Sequence, residues 1–153
     1  MAKQSAGILL YRLDEKQLQV FLVHPGGPFF KNKDDGSWSI PKGEFADDEN
    51  PLDAAKREFL EETGQSIEGN FIELTPILQK GGKTVHAWAV EGDIDHERIV
   101  SNTFEIEWPP RSGRKQAFPE VDKAVWFDIE IAKMKINSAQ VDLINELQSK
   151  RIY

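Results

Sequence analysis

A bracketed, acid-laden helix is the feature that most limits how this chain can fold. Asn50 is a good N-cap, Pro51 suits the first helical position, and Asp53 falls in the first turn, where the helix dipole favours an acid. Gly64 is a natural C-terminal stop. Leu52, Ala55 and Phe59 supply an apolar stripe, so one face of this helix must dock on a core. Residues 44–62 carry eight acids (Glu44, Asp47, Asp48, Glu49, Asp53, Glu58, Glu61, Glu62) against Lys56 and Arg57, a balance of −6 in a chain of net charge −7. Nearly the whole excess charge therefore sits on this helix and the loop leading into it.

The segments around it read mainly as strands. Ser5–Arg12 and Leu18–His24 are short, apolar and β-branched, separated by the polar turn Asp14-Glu15-Lys16, which predicts a hairpin. Pro25–Gly36 is a loop that carries Phe29 and Phe30 among glycines and lysines. Trp38–Pro41 is a short extended piece and Gly43–Glu49 an irregular acidic connection. Phe71–Gln79, Lys83–Val90, Val100–Trp108 and Ala124–Phe127 read as extended, and Asp128–Lys135 and Ser138–Arg151 as closing helices. Strands interleaved with a few helices predict an α/β sandwich around a mixed sheet.

The 153 residues suffice for one domain with a sizeable core. The absence of cysteine excludes disulfide scaffolds, thiolate zinc sites and cysteine nucleophiles. Met1–Ala6 holds one lysine and no apolar core of a secretory signal, and no apolar run reaches the length of a membrane span, so the expected location is cytoplasmic. The acidic balance argues against duplex DNA and anionic membranes as partners. Arg111, Arg114 and Lys115 form a small basic cluster in a Pro/Gly-flanked stretch. An acidic centre beside a basic loop suits a metal-plus-phosphate site, although each half also reads as a solvated face.

On a helix, Glu58, Glu61 and Glu62 fall within a sector of roughly 100°, with Ala54 and Ala55 one turn earlier expected to leave open space above them. Like charges at these spacings repel, whereas hard divalent cations such as Mg²⁺ and Mn²⁺ prefer clustered carboxylate oxygens. The competing reading is a solvated helix with an Asp53–Arg57–Glu61 charge ladder.

Gly43, five residues, Glu49, seven residues, then Arg57-Glu58-Phe59-Leu60-Glu61-Glu62-Thr63-Gly64 resembles the Nudix box, GX5EX7REUXEEXGU, with every Gly, Glu and Arg position matched. Phe59 replaces the usual aliphatic residue. Gln65 stands where an apolar one belongs, leaving Ile67 to take over its packing. The resemblance implies a single Nudix hydrolase domain over 1–153, with a Nudix-type α/β/α sandwich, a mixed β-sheet and a catalytic loop-helix-loop. It also implies Mg²⁺- or Mn²⁺-dependent cleavage of a nucleoside diphosphate derivative. Glu58, Glu61, Glu62 and the Lys42 carbonyl map onto metal ligands, and Arg57 and Glu49 onto a salt-bridged pair that orients them. Metals then neutralise a pyrophosphate while a carboxylate-activated water attacks one phosphorus.

Many Nudix enzymes use one more carboxylate from outside the box. Glu120 is the choice here, with Glu105 and Glu107 in reserve. The run Phe118-Pro119-Glu120 and the turn Trp38-Ser39-Ile40-Pro41-Lys42-Gly43 resemble the asymmetric diadenosine tetraphosphate hydrolases, which favours a dinucleoside polyphosphate or a nucleoside triphosphate as substrate. Phe29, Phe30, Lys31 and Lys33 suit a clamp on base and phosphates, as does Lys42, and Arg111, Arg114 and Lys115 suit distal phosphates; packing and solubility are the competing readings. Gly82-Lys83-Thr84 is no P-loop, since Ile77 stands where its first glycine belongs. His24, His86 and His96 lack metal spacing, and no Ser sits in a G-x-S-x-G context. Two rivals stand beside the hydrolase: a nucleotide-sensing module of the same fold without turnover, and an RNA 5′-pyrophosphohydrolase. Either a monomer or a homodimer is compatible with the sequence.

Overall fold

The computed structural model describes residues 3–150. The chain runs β1 (Gln4–Asp14), β2 (Gln17–Pro25), β3 (Lys42–Glu44), α1 (Pro51–Thr63), β4 (Ile72–Glu73), β5 (Ile77–Gln79), β6 (Lys83–Glu91), β7 (Thr103–Glu107), β8 (Lys115–Pro119), β9 (Val121–Asp128), α2 (Ile129–Lys135) and α3 (Val141–Lys150), with 3₁₀ turns at His96–Arg98 and Ser138–Gln140. The main sheet has the order β4-β6-β1-β2-β9, with β3 added to β1 and β5 to β6. It is mixed, because β1 runs parallel to β6 and antiparallel to β2 and β3. β7 and β8 form a separate two-stranded ribbon.

Strict alternation along β1 explains the layering. Ile8 and Leu10 pack with Phe21, Ala54, Ala55 and Phe59 beneath α1. Leu9 and Tyr11 face the opposite way, against Ile129, Ala132, Leu143, Ile144 and Leu147 of α2 and α3. Two apolar faces on one sheet require cover on both sides, and the expected α/β/α sandwich results. No helix among the described residues is long and apolar enough to cross a membrane.

The hairpin forms as expected, its turn made by Glu15 and Lys16 at positive φ (49° and 69°). Four expectations need correction. Phe71–Gln79 is two short strands rather than one, because Pro76 brings no N–H to a ladder and the Thr75 N–H turns to the Glu146 carboxylate instead (2.7 Å). The Gly43–Glu49 connection is irregular only from residue 45 on, since Gly43 and Glu44 join Lys42 in a short strand paired with Ser5–Gly7. Ala54 and Ala55 are fully buried in the core beneath α1, so they face the sheet rather than a space beside the carboxylates. The last helix begins with a 3₁₀ turn, and its expected end at Arg151 lies outside the described residues.

Candidate active site

The signals that bracket α1 also aim its acids. The Asn50 side chain accepts from the Leu52 and Asp53 N–H groups, and Gly64 closes the helix in the left-handed conformation (φ 75°) while donating to Leu60 O. Docking Ala54, Ala55 and Phe59 on the sheet carries Glu58 to the buried edge of the helix and leaves Glu61 and Glu62 half-buried beside it. Ile67 does join the core beneath α1, and the Gln65 side chain turns out to donate to Asp95 O (3.1 Å).

Glu58 lies against β3 so closely that a Cβ on Gly43 would stand 2.1 Å from its Oε2. The next residue back, Lys42, donates its N–H to Glu62 Oε1 (3.3 Å). Arg57 grips Glu49 with two bonds (Nε to Oε2 2.9 Å, Nη2 to Oε1 3.0 Å), and its Nη1 reaches Glu58 (2.9 Å) and Glu61 (3.3 Å). The expected Arg57–Glu61 rung therefore exists, but as part of a wider network that includes Glu49 and Glu58. Glu120 enters from the turn between β8 and β9, held by its N–H on Asn102 O (2.8 Å) and by its carbonyl, which accepts from Gly26 N–H (2.9 Å).

Electrostatics tie these acids into one group. Burial, then Glu58 and Glu120, push the Glu62 carboxyl up to about 8. Burial and Glu61 raise both Glu58 and Glu120. Glu49 is lowered by its bonds to Arg57, and the half-buried Lys42 ammonium is lowered by desolvation and by Lys83.

Among the described residues no three acidic or imidazole groups converge at ion-holding distance in this arrangement. Several carboxylate oxygens are instead engaged by Arg57 and by the Lys42 N–H. The donor set nonetheless fits a hard divalent cation: it consists of carboxylates, forced together at a cost that a cation would offset. Glu58, Glu61, Glu62 and the Lys42 carbonyl are the groups that could hold one.

A cavity of about 280 Å³ opens beside this corner, with Lys42, Glu62, Glu120 and Phe30 in its wall. Phe29 stands apart from it, 63% exposed and edge-to-face on Trp108 (5.6 Å). Lys31 and Lys33 are exposed, Lys33 with its ammonium over the Phe30 ring (5.4 Å). Arg111, Arg114 and Lys115 lie exposed at the tip of the β7–β8 ribbon, away from the cavity wall. Glu105 and Glu107 stay exposed on β7, Glu107 accepting the Arg111 N–H (2.8 Å). His24 is buried with one ring nitrogen on Asp122 (2.8 Å) and the other on Lys33 O (2.7 Å), so it pins the aromatic loop. The cavity also takes in Gln79, Asn137 and Gln140, which sequence reasoning missed because amides carry no motif.

A mixed sheet covered by helices on both faces, with a helix-borne acid cluster over a short strand, defines the class. The NUDIX domain family model matches residues 1–147, and the chain belongs to the Nudix family. Among solved structures it resembles a binary complex of the C. elegans Ap4A hydrolase at 20% identity and a TM-score of 0.66, covering 97% of each chain. The NUDIX domain of Shewanella oneidensis NrtR complexed with ADP ribose matches at 17% identity and a TM-score of 0.66, over 98% of this chain and 88% of that one. A MutT structure from a study of Aliivibrio salmonicida and Vibrio cholerae matches at 14% identity and 0.57, over 96% of each chain. At these identities the likeness is one of fold. No curated protein sequence matches this chain significantly. Family membership supports a pyrophosphohydrolase.

Proposed function

We propose that this chain is a single-domain, Mg²⁺- or Mn²⁺-dependent Nudix hydrolase that cleaves the pyrophosphate linkage of a dinucleoside polyphosphate or a nucleoside triphosphate in the cytoplasm. The observation that carries the reading is the electrostatic coupling of Glu58, Glu61, Glu62 and Glu120 beside a cavity whose wall includes Glu62 and Glu120, with Glu62 pushed up to about 8 by burial and by its acidic neighbours. An enzyme that held no cation there would bear this repulsion for nothing.

A bound divalent cation supplies charge neutralisation for the pyrophosphate oxygens and acidifies water. The chain's own residues do the rest. Gly43 leaves room for the Glu58 carboxylate, and Arg57, itself fixed by Glu49, orients Glu58 and Glu61. Glu120, with its proton affinity raised by burial and by Glu61, suits the role of accepting the proton of the attacking water. Phe30 offers a stacking face in the cavity wall, and Lys31, Lys33, Arg111, Arg114 and Lys115 offer charge to the phosphate tail.

Product analysis with Mg²⁺ and diadenosine tetraphosphate in ¹⁸O-labelled water tests this, with nucleoside triphosphates and ADP-ribose alongside. ATP plus AMP with label in one product, and loss of turnover in Glu62→Gln, are the expected results. Turnover of another panel member alone would discard the substrate class and keep the chemistry. Metal binding without turnover of any compound would replace the hydrolase with a nucleotide-sensing module.

A further inference from the structure

His24 stands behind the cavity wall rather than in it. Its neighbours Val23 and Pro25 line the cavity, as do Phe30 and Glu120, while His24 itself is 1% exposed. Both ring nitrogens are spent inside the protein. Lys33 O can only accept, so Nε2 donates to it (2.7 Å), and a proton lies between Nδ1 and Asp122 Oδ1 (2.8 Å). That leaves the ring no group to offer a ligand, so any work it does is done through what it holds.

On one side it holds the aromatic loop. The Lys33 N–H donates to Phe30 O (3.0 Å) and the Lys33 ammonium lies over the Phe30 ring (5.4 Å), so a grip on the Lys33 carbonyl fixes the turn that carries Phe30. On the other side it holds a β-bulge. The β2–β9 ladder passes from His24–Lys123 directly to Pro25–Val121, which leaves Asp122 as the extra residue. Glu120 sits two residues before it, its carbonyl accepting the Gly26 N–H (2.9 Å). The loop backbone lies so close to this turn that a Cβ on Gly26 would stand 1.9 Å from Pro119 O. Trp38 packs edge-to-face on the imidazole between the two (5.1 Å).

We propose that His24 is a positioning residue that sets Phe30 and Glu120 in register through two separate arms, the Lys33 carbonyl and the Asp122 carboxylate. The proposal rests on the hydrolase reading, in which Phe30 stacks on the base and Glu120 takes the proton of the attacking water. The two arms act on different parts of the reaction. Displacing the Phe30 turn weakens the grip on the nucleotide in ground and transition state alike, which raises KM. Re-aiming the bulge moves Glu120 relative to the attacking water, a loss felt only in the transition state, which lowers kcat.

Two isosteric substitutions separate the arms. His24→Gln places an amide N–H at the Nε2 position and keeps the bond to Lys33 O; His24→Asn places one at the Nδ1 position and keeps the bond to Asp122. Kinetics with the panel compound that wild type turns over, and equilibrium binding of α,β-methylene ATP in Mg²⁺, read the result on the full chain. His24→Gln and Asp122→Ala should lower kcat by about tenfold or more, with KM and analogue affinity kept. His24→Asn should raise KM and weaken analogue binding by about tenfold, with kcat kept. Matching losses in both histidine variants, in step with Tm, would reduce His24 to core packing and overturn the proposal. So would kinetics unchanged from wild type or, if the histidine variants fail to fold, an Asp122→Ala protein with unaltered kcat. Analogue binding that His24→Asn alone weakens, in a chain that turns over nothing, would sustain the Phe30 arm and remove the hydrolase reading. A wild type that neither binds nor turns over any compound would overturn both.

Discussion

The Glu58 carboxylate rests on the backbone of Gly43, with the place of a Cβ only 2.1 Å from Oε2 and 2.5 Å from Oε1. Gly43 is not at a positive φ, so its value here is space rather than conformational freedom. Gly43→Ala should therefore fold with a Tm near wild type, because the end of a glutamate side chain gives way more cheaply than backbone. It should lose about a hundredfold in kcat, the scale of an ångström's misplacement of a reacting group. Thermal melts and steady-state kinetics on one preparation check both halves; retained activity would remove Glu58 from the chemistry.

Arg57 bonds three carboxylates at once, and its two parallel bonds to Glu49 need the planar fork of a guanidinium. Arg57→Lys should weaken divalent-cation affinity and turnover together, by about ten- to a hundredfold, as loss of an orienting partner does. Glu49→Gln should act in the same direction and less strongly, since one oxygen can still accept. Calorimetric Mn²⁺ titration beside kinetics measures both.

How much of this was readable in the sequence depended on whether a residue's job is local. Asn50, Pro51 and Gly64 act on their own backbone, and the helix stands between them as expected. Glu58, Glu61 and Glu62 were legible because their helical spacing is also their spatial arrangement. Glu120 was legible only through resemblance, since the β7–β8 ribbon that delivers it is a tertiary feature. The place of Gln79 and Asn137 in the cavity wall could not be read at all: Gln79 is tied there by Gln140, 61 residues away, and Asn137 by a backbone N–H in the last turn before α3. Ala54 and Ala55 were misplaced because a helical wheel gives angles between residues without saying which face meets the sheet.

Proton uptake at the acid cluster predicts a pH signature in metal-free protein. A carboxyl raised from 4.5 to about 8 by folding holds a proton between those values that the unfolded chain has released. Stability without metal should therefore fall as pH rises from about 4.5 to about 8, and Glu58 and Glu120 shift the same way. Glu62→Gln should flatten the slope, and Mg²⁺ should stabilise the protein more at pH 8 than at pH 5. Melts across pH with chelator and with Mg²⁺ check this; a slope unchanged in Glu62→Gln would contradict it.

Phe30 and Phe29 are adjacent and should behave differently. Phe30→Ala, in the cavity wall, should raise KM by about tenfold with kcat little changed, the loss of one stacking contact. Phe29→Ala removes an edge contact with Trp108 and should lower Tm slightly while leaving KM in place.

The guanidinium groups of Arg111 and Arg114 have no acidic partner among the described residues, Glu107 accepting only the Arg111 backbone N–H. Replacing both with alanine should raise KM several-fold for a tetraphosphate, with the effect fading at high salt. An unchanged KM would reduce them to a solubilising turn.

The central claim is that the acids of α1 hold the divalent cations on which turnover depends. Mn²⁺ occupancy by electron paramagnetic resonance, with hydrolysis followed in the same samples, tests it most directly. Turnover should rise with bound Mn²⁺ in wild type, and both should fall together in Glu62→Gln. Hydrolysis that survives complete chelation, or a Glu62→Gln protein that binds Mn²⁺ and turns over as wild type does, would contradict the account.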